Sequence, residues 1–385
     1  KECSIFMFKN AKAILILATA MNLRLAITAI TPLFPAIQKA LHVASPFTAL
    51  LVTIPLLCFS LGAIVAPRLI QRLGILPLIL LTTGSLVIAN LIRPLTATTL
   101  LVGTLLIGLA VALLNVLVPT MIAQFTTTRV ARLTSYYAVT MNVVAAVGTA
   151  GAMPLAELWG WHAVLMGFAL PAVLTFGIAS RLPRHSFSFH PQSTGLATLN
   201  LTTTLRHDPQ AWQLTAFMGL QSLIFYSLTT WLPTIFQALG ASATTAGTLL
   251  AVFQLVGIPA ALVLNTFTNI RHLLVGLLGG YLGGVLCLAW SGIGWWLAAS
   301  LLGFTSALIF TLALTLIATS SQEVAVIANR SAIAQSLGYL FAAVGPFIFG
   351  EIHDIFGNWS IALMVLISLM LVTIGSGLLV VHSSK

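Results

Sequence analysis

The chain has 385 residues, of which 59% are hydrophobic and only 6% are charged. A soluble domain carries about 25% charged residues, so the composition excludes a soluble enzyme and a disordered chain and points to a membrane-embedded protein. The net charge of +10 does not indicate nucleic-acid binding, because the 16 Lys and Arg lie in ones and twos between apolar runs rather than on one face.

A helix that crosses a bilayer needs about 20 mostly apolar residues. Twelve such runs are predicted, at 12–37, 46–67, 75–92, 97–124, 132–156, 161–181, 209–237, 243–266, 272–290, 294–320, 329–350 and 358–381. The alternating ten-residue segments of a transmembrane β-barrel are absent. The first run is too long for a cleaved signal peptide and contains Arg24.

Arg24 is the sharpest feature. It lies about 12 residues into its run, roughly 18 Å deep. A cation at that depth needs a wet cavity or a partner. Thr28 and Thr31 follow at helical spacing, predicting a polar stripe on one face that ends at Pro32. A guanidinium offers forked donors to planar oxygens, so Arg24 is a candidate ligand for an anionic or nitro group. The competing role is a structural Arg tied to backbone carbonyls.

Arg68 and Arg72 are predicted in the loop after the second run, as candidate gating cations or simple topology markers. Asn115 and Pro119 interrupt the fourth run. Asn115 is either a substrate donor or an interhelical hydrogen bond, and Pro119 a conformational element. Arg132 opens the fifth run, which also carries Tyr136, Tyr137 and Asn142. Adjacent tyrosines point about 100° apart on a helix, and Tyr137 is the favoured cavity residue.

The connection at 183–208 is the one long polar stretch, and it separates a six-helix unit at 1–182 from another at 209–385. In the second unit Gln221, Tyr226 and Gln254 are candidate substrate contacts, and Trp231 is read as an interfacial anchor. Arg330 opens the eleventh run as a candidate gating residue, ahead of Gln335 and Tyr339.

The two units repeat one another. Pro35-Ala-Ile-Gln-Lys-Ala-Leu41 corresponds to Pro233-Thr-Ile-Phe-Gln-Ala-Leu239, and Arg132 to Arg330, both at a step of 198 residues. Ala145-Ala-Val-Gly148 recurs as Ala342-Ala-Val-Gly345 at a step of 197. Two parallel six-helix bundles around a midplane solute site form the major facilitator architecture.

With the N-terminus in the cytoplasm, 13 basic residues fall on the cytoplasmic side and only Lys39 and Arg93 on the outer side. That is a strong positive-inside bias. None of Glu2, Glu157, Asp208, Glu323, Glu351 and Asp354 lies deep enough to neutralise Arg24. This weighs against a pump for organic cations and leaves no evident protein group for proton coupling. Cys3, Cys58 and Cys287 read as small buried hydrophobes. No metal-ligand cluster, phosphate loop or nucleophile elbow is present, so no cofactor, metal or catalytic residue is expected.

Asn22-Leu-Arg24 followed by Thr31-Pro32, Asn115-Val-Leu-Val-Pro119, Trp231-Leu-Pro233 and Gln335-x2-Gly338-Tyr339 before Gly345-Pro346 resembles the cyanate/2-nitroimidazole transporter family of the major facilitator superfamily. Arg129-Val-Ala-Arg-Leu-Thr134, Ala211-Trp-Gln213 and Ile352-His-Asp354-x2-Gly357-Asn-Trp-Ser360 are most similar to its 2-nitroimidazole branch. The resemblance implies secondary transport of a small, polar, planar solute across a bacterial inner membrane, with Arg24, Asn115, Tyr137, Tyr226 and Gln335 as carried-over positions. Leu25 replaces a frequent family Pro, and Gln221 replaces a smaller amide. The expectation is therefore a monomeric twelve-helix carrier with both termini cytoplasmic, a small-molecule substrate and the lipid bilayer as partners. The alternatives are a broad-specificity proton-coupled drug exporter and a non-transporting membrane receptor of the same fold.

Overall fold

Pro32 and Pro35 cannot donate a backbone N–H, so each interrupts the helical hydrogen-bond ladder of the first run. In the computed structural model, which describes residues 2–125, 130–183, 208–264, 267, 269–321 and 324–383, the run breaks around Arg24. Helix α1 (Glu2–Ala20) ends in a turn, α2 (Leu25–Thr28) adds one helical turn, a 3₁₀ segment spans Thr31–Leu33, and α3 (Phe34–Leu41) completes the passage. The Thr28 carbonyl, denied an N–H by Pro32, accepts the Thr31 hydroxyl at 2.9 Å. Asn22 pins the break, donating to the Ala18 carbonyl at 3.0 Å and to Thr175 Oγ1 at 3.0 Å.

The remaining helices are α4 (Ser45–Leu73), α5 (Ile75–Ile92), α6 (Ala97–Phe125), α7 (Val130–Gly167) and α8 (Leu170–Ser180), then α9 (Pro209–Ala238), α10 (Ala243–Leu255), α11 (Ala260–Leu264), α12 (Ile270–Cys287), α13 (Ile293–Ala318), α14 (Val324–Phe356) and α15 (Ser360–Ser383). Helix α7 turns at Gly160, whose φ of 80° and ψ of 152° leave the helical region at a residue without a Cβ. Among the described residues there is no strand, and nine helical segments are long and apolar enough to cross a membrane. In lipid every backbone polar group needs an internal partner, which an all-helical chain supplies.

Several details differ from the sequence-based expectation. Arg68 and Arg72 stand on the last turns of α4 rather than in a loop, because the helix runs on to a Gly74 break at φ 83°. Helix α6 continues through Asn115 and Pro119. Trp231 is a core residue, not an interfacial anchor: it is buried, its Nε1 donates to the Pro346 carbonyl at 2.8 Å, and its ring meets Phe34 edge-on at 5.8 Å. Arg93, expected at the outer face, is wholly buried. Its guanidinium turns inward, Nε donating to Thr104 Oγ1 at 3.1 Å and Nη1 to the Ala26 carbonyl at 2.8 Å. The linker expected at 183–208 lies outside the described residues except for its ends, Pro183 and Asp208.

Helices α1–α8 and α9–α15, the two units of the described residues, meet along two seams. Helices α4 and α14 pack together at the Ser45 end, where Asp354 Oδ2 accepts the Ser45 backbone N–H at 3.1 Å. Farther in, Thr53 Oγ1 donates to the Ala343 carbonyl at 2.9 Å. Helices α7 and α10 form the second seam, and a Cβ on Gly247 would stand 2.8 Å from the Thr149 carbonyl oxygen. At the opposite end Arg330 forks onto Asp208, with Nε to Oδ2 at 2.6 Å and Nη2 to Oδ1 at 3.1 Å, while Nη1 donates to the Ser320 carbonyl at 2.6 Å.

Candidate functional site

A cavity of about 340 Å³ lies between the two units at the depth of Arg24. The first unit contributes Arg24, from the broken first passage, and Ala138, Val139, Met141 and Asn142 from α7. The second contributes Gln221, Phe225 and Tyr226 from α9, Phe253 and Gln254 from α10, Phe310 and Thr311 from α13, and Tyr339 from α14. The lining reaches from mid-helix toward the Arg330 end. The Ser45 end is closed by the α4–α14 contacts.

The unwound backbone is what brings Arg24 here. As the residue before the single turn of α2, it has φ −124° and ψ −29°, outside a continuing helix. Its carbonyl accepts the Thr28 hydroxyl at 3.1 Å. Its Nη1 donates to Asn142 Oδ1 at 2.9 Å, and its Cζ sits 5.4 Å from the centre of the Phe225 ring. An amide oxygen and an aromatic face both favour a cation without neutralising it. Arg24 is the one charged residue in the described lining.

The second unit's share of the wall carries five aromatic rings, those of Phe225, Tyr226, Phe253, Phe310 and Tyr339. Phe225 meets Tyr226 edge-on at 5.2 Å and lies 5.8 Å from Phe253. Tyr226 and Tyr339 are 6.4 Å apart, and Tyr339 meets Phe59 of α4 edge-on at 5.7 Å. Such a wall offers flat faces for stacking a planar solute.

Of the residues singled out from the sequence, Arg24, Asn142, Gln221, Tyr226, Gln254 and Tyr339 come together in this lining. Four do not. Thr28 is buried with its hydroxyl on the Arg24 carbonyl. Asn115 is half-buried on α6, Tyr137 packs against the core, and Gln335 donates to Ser331 Oγ at 2.8 Å. Among the gating candidates, Arg330 is in the Asp208 pair, Pro119 is exposed within α6, and Arg68 and Arg72 are exposed. The Arg132 side chain lies outside the described residues. Sequence reasoning passed over Phe225 as a partner of Arg24, although its spacing from Gln221 puts the two on one helical face.

A broken first helix that presents Arg24 to a cavity between two sets of membrane-length helices is the arrangement of a solute carrier. The sequence matches the Major Facilitator Superfamily over residues 15–338. The chain belongs to the major facilitator superfamily. This superfamily member is 34% identical to a 2-nitroimidazole transporter of Escherichia coli (strain K12), over 94% of this chain and 93% of that one. It is 26% identical to the cyanate transport protein CynX of the same organism, over 92% and 94% of the two chains. The fold is similar to that of the nucleoside transporter NupG, with a TM-score of 0.75 and 98% coverage of both chains at 12% identity. The protein is a multi-pass membrane transporter of the cyanate/2-nitroimidazole family and not an enzyme.

Proposed function

We propose that this protein is an alternating-access carrier for a small planar solute bearing a nitro or anionic oxygen group, of the nitroimidazole type. The observation that carries the proposal is the Arg24 guanidinium, the one charge in a described cavity lining that otherwise holds five aromatic rings, three amides, two hydroxyls and small or aliphatic residues. Its donors not engaged by Asn142 offer a fork to planar oxygens. The ring faces of Phe225, Phe253, Tyr226 and Tyr339 suit a heteroaromatic body. A triatomic anion such as cyanate would leave most of the 340 Å³ and its aromatic wall unused. A cationic drug would meet the positive charge of Arg24 with no carboxylate to receive it.

Transport follows from rocking of the units 1–182 and 209–385 about the cavity, twelve passages in all. The Ser45–Asp354 contact opens as access shifts to the Ser45 end, and the Arg330 end closes. The concentration of basic residues at the Arg330 end supports an orientation with that end and both termini in the cytoplasm of a bacterial inner membrane. The working unit is a monomer, since the cavity is complete within one chain.

The test is flux of radiolabelled 2-nitroimidazole in proteoliposomes. Arg24→Ala abolishes it while the protein purifies and melts like wild type, and Arg24→Lys leaves it severely reduced because an ammonium lacks the fork. Undiminished flux in Arg24→Ala would overturn the assignment.

A further inference from the structure

Two buried acceptors on cavity-lining side chains have no donor. Gln221 is 1% exposed and Gln254 is 5% exposed, and the Oε1 of each is without a hydrogen-bond partner. Neighbouring groups take the nitrogen of each amide. Gln254 Nε2 donates to Thr149 Oγ1 at 3.3 Å. That hydroxyl gives its own hydrogen to the Ala146 carbonyl at 2.9 Å, so toward Gln254 it accepts. Gln221 Nε2 lies 2.6 Å from Ser222 Oγ and 3.4 Å from the Met218 sulfur, a thioether that has no hydrogen to give. In both side chains the nitrogen is used and the oxygen remains.

Arg24 supplies the opposite need, since it can only donate. A solute that completes the site therefore carries electron-rich oxygen for Arg24 and an N–H for the glutamine oxygens. We propose that Gln221 and Gln254 are specificity-determining acceptors for a ring N–H of the solute. The carrier then selects N–H azoles bearing a nitro or similar oxygen group over their N-alkylated analogues and over small anions without an N–H. This rests on Arg24 holding the oxygen end, as proposed above. A site built to receive a hydrogen bond rejects the analogue that lacks it far more strongly than an apolar pocket rejects a change of size.

The experiment is equilibrium binding to the purified full-length protein in detergent, at mildly acidic pH where the imidazole keeps its proton. The probes are 2-nitroimidazole, 1-methyl-2-nitroimidazole, 4-methyl-2-nitroimidazole and sodium cyanate. The two methyl compounds add the same volume, but only the first loses the N–H. Wild type binds the parent and the 4-methyl compound at least tenfold more tightly than the 1-methyl compound or cyanate. In Gln254→Leu, and in Gln221→Leu, the parent falls toward the 1-methyl compound while the latter is little changed. Equal weakening by the two methyl groups, or an undiminished preference in both leucine variants, overturns the proposal. The wild-type ratios alone decide it should a variant fail to fold. Arg24→Ala separates the two readings. If wild type binds both methyl compounds alike and Arg24→Ala loses both, only the N–H inference fails. If no nitroimidazole binds wild type, both fall.

Discussion

The buried guanidinium of Arg93 donates to the carbonyl of Ala26 at 2.8 Å, two residues along the chain from Arg24. Breaking a helix inside a membrane frees backbone carbonyls that water cannot reach, and each is costly unless a side chain takes it. Arg93 takes this one and braces against Thr104. One cation thus holds the unwound backbone from which the other reaches the cavity.

Replacing Arg93 removes both bonds and leaves a void in a fully buried site. Arg93→Met is expected to destabilise by about 2–4 kcal/mol, read as a lower melting temperature in detergent. Arg93→Lys, which keeps the charge and can reach one partner, is expected to fold and bind substrate more weakly through a displaced Arg24. Unchanged affinity in Arg93→Lys would separate the brace from the site.

Asn142 orients Arg24 from the other side, through its 2.9 Å bond. Asn142→Leu removes the acceptor and is expected to weaken binding by about 1–2 kcal/mol, roughly tenfold. Asn142→Asp places a carboxylate against the guanidinium and is expected to abolish binding of an anionic or nitro solute. Titration of 2-nitroimidazole into each variant checks both outcomes.

The Arg330–Asp208 pair carries a pH dependence. Partial burial pushes the Asp208 carboxyl up, but the Arg330 bond and charge and the Ala211 and Gln210 amides together hold it below the usual carboxylate range. A carboxyl depressed in the folded state adds stability that is present above its unfolded value, about pH 4, and is lost as pH falls through its folded one. Asp208→Asn is therefore expected to lower stability by about 1 kcal/mol at neutral pH. The gap from wild type narrows as the pH drops below about 4. Melting curves over that range test this, and a gap that widens on acidification contradicts it.

At the Ser45 end, Asp354 Oδ2 holds the first turn of α4 by a backbone N–H. A carboxylate at a helix N-terminus is favourable by about 0.3–1 kcal/mol, so Asp354→Ala is expected to shift the population up to fivefold toward the form open at this end. Electron-spin distances between labels at Lys39→Cys and Ile355→Cys should then show a larger long-distance component. An unaltered distribution would remove Asp354 from the latch.

A cavity at Arg24 was legible from the sequence because a single charge inside a long apolar run has few physical explanations. The architecture was legible from the 198-residue step between Arg132 and Arg330. Thr28 follows Arg24 by one helical turn, as its spacing implies, but its hydroxyl folds back onto the Arg24 carbonyl, a choice that spacing does not reveal. Arg93 was hidden for another reason. A residue just past a span end reads as solvated, and nothing local says that its side chain turns back toward Ala26, 67 positions earlier. The Arg24–Asn142 bond is likewise long-range, joining residues 118 apart. Side-chain partners across helices depend on packing that periodicity does not encode.

Gly247 has a mechanical consequence. At the α7–α10 seam its Cα faces the Thr149 carbonyl with no side chain between them, so the two units meet there backbone to backbone. Interlocked side chains resist sliding, so under the proposed rocking this close backbone contact would serve as a plain bearing. The same Thr149 steadies Gln254 through its hydroxyl. A tilt at that bearing would therefore move a wall of the cavity, coupling the shape of the solute chamber to the angle between the bundles.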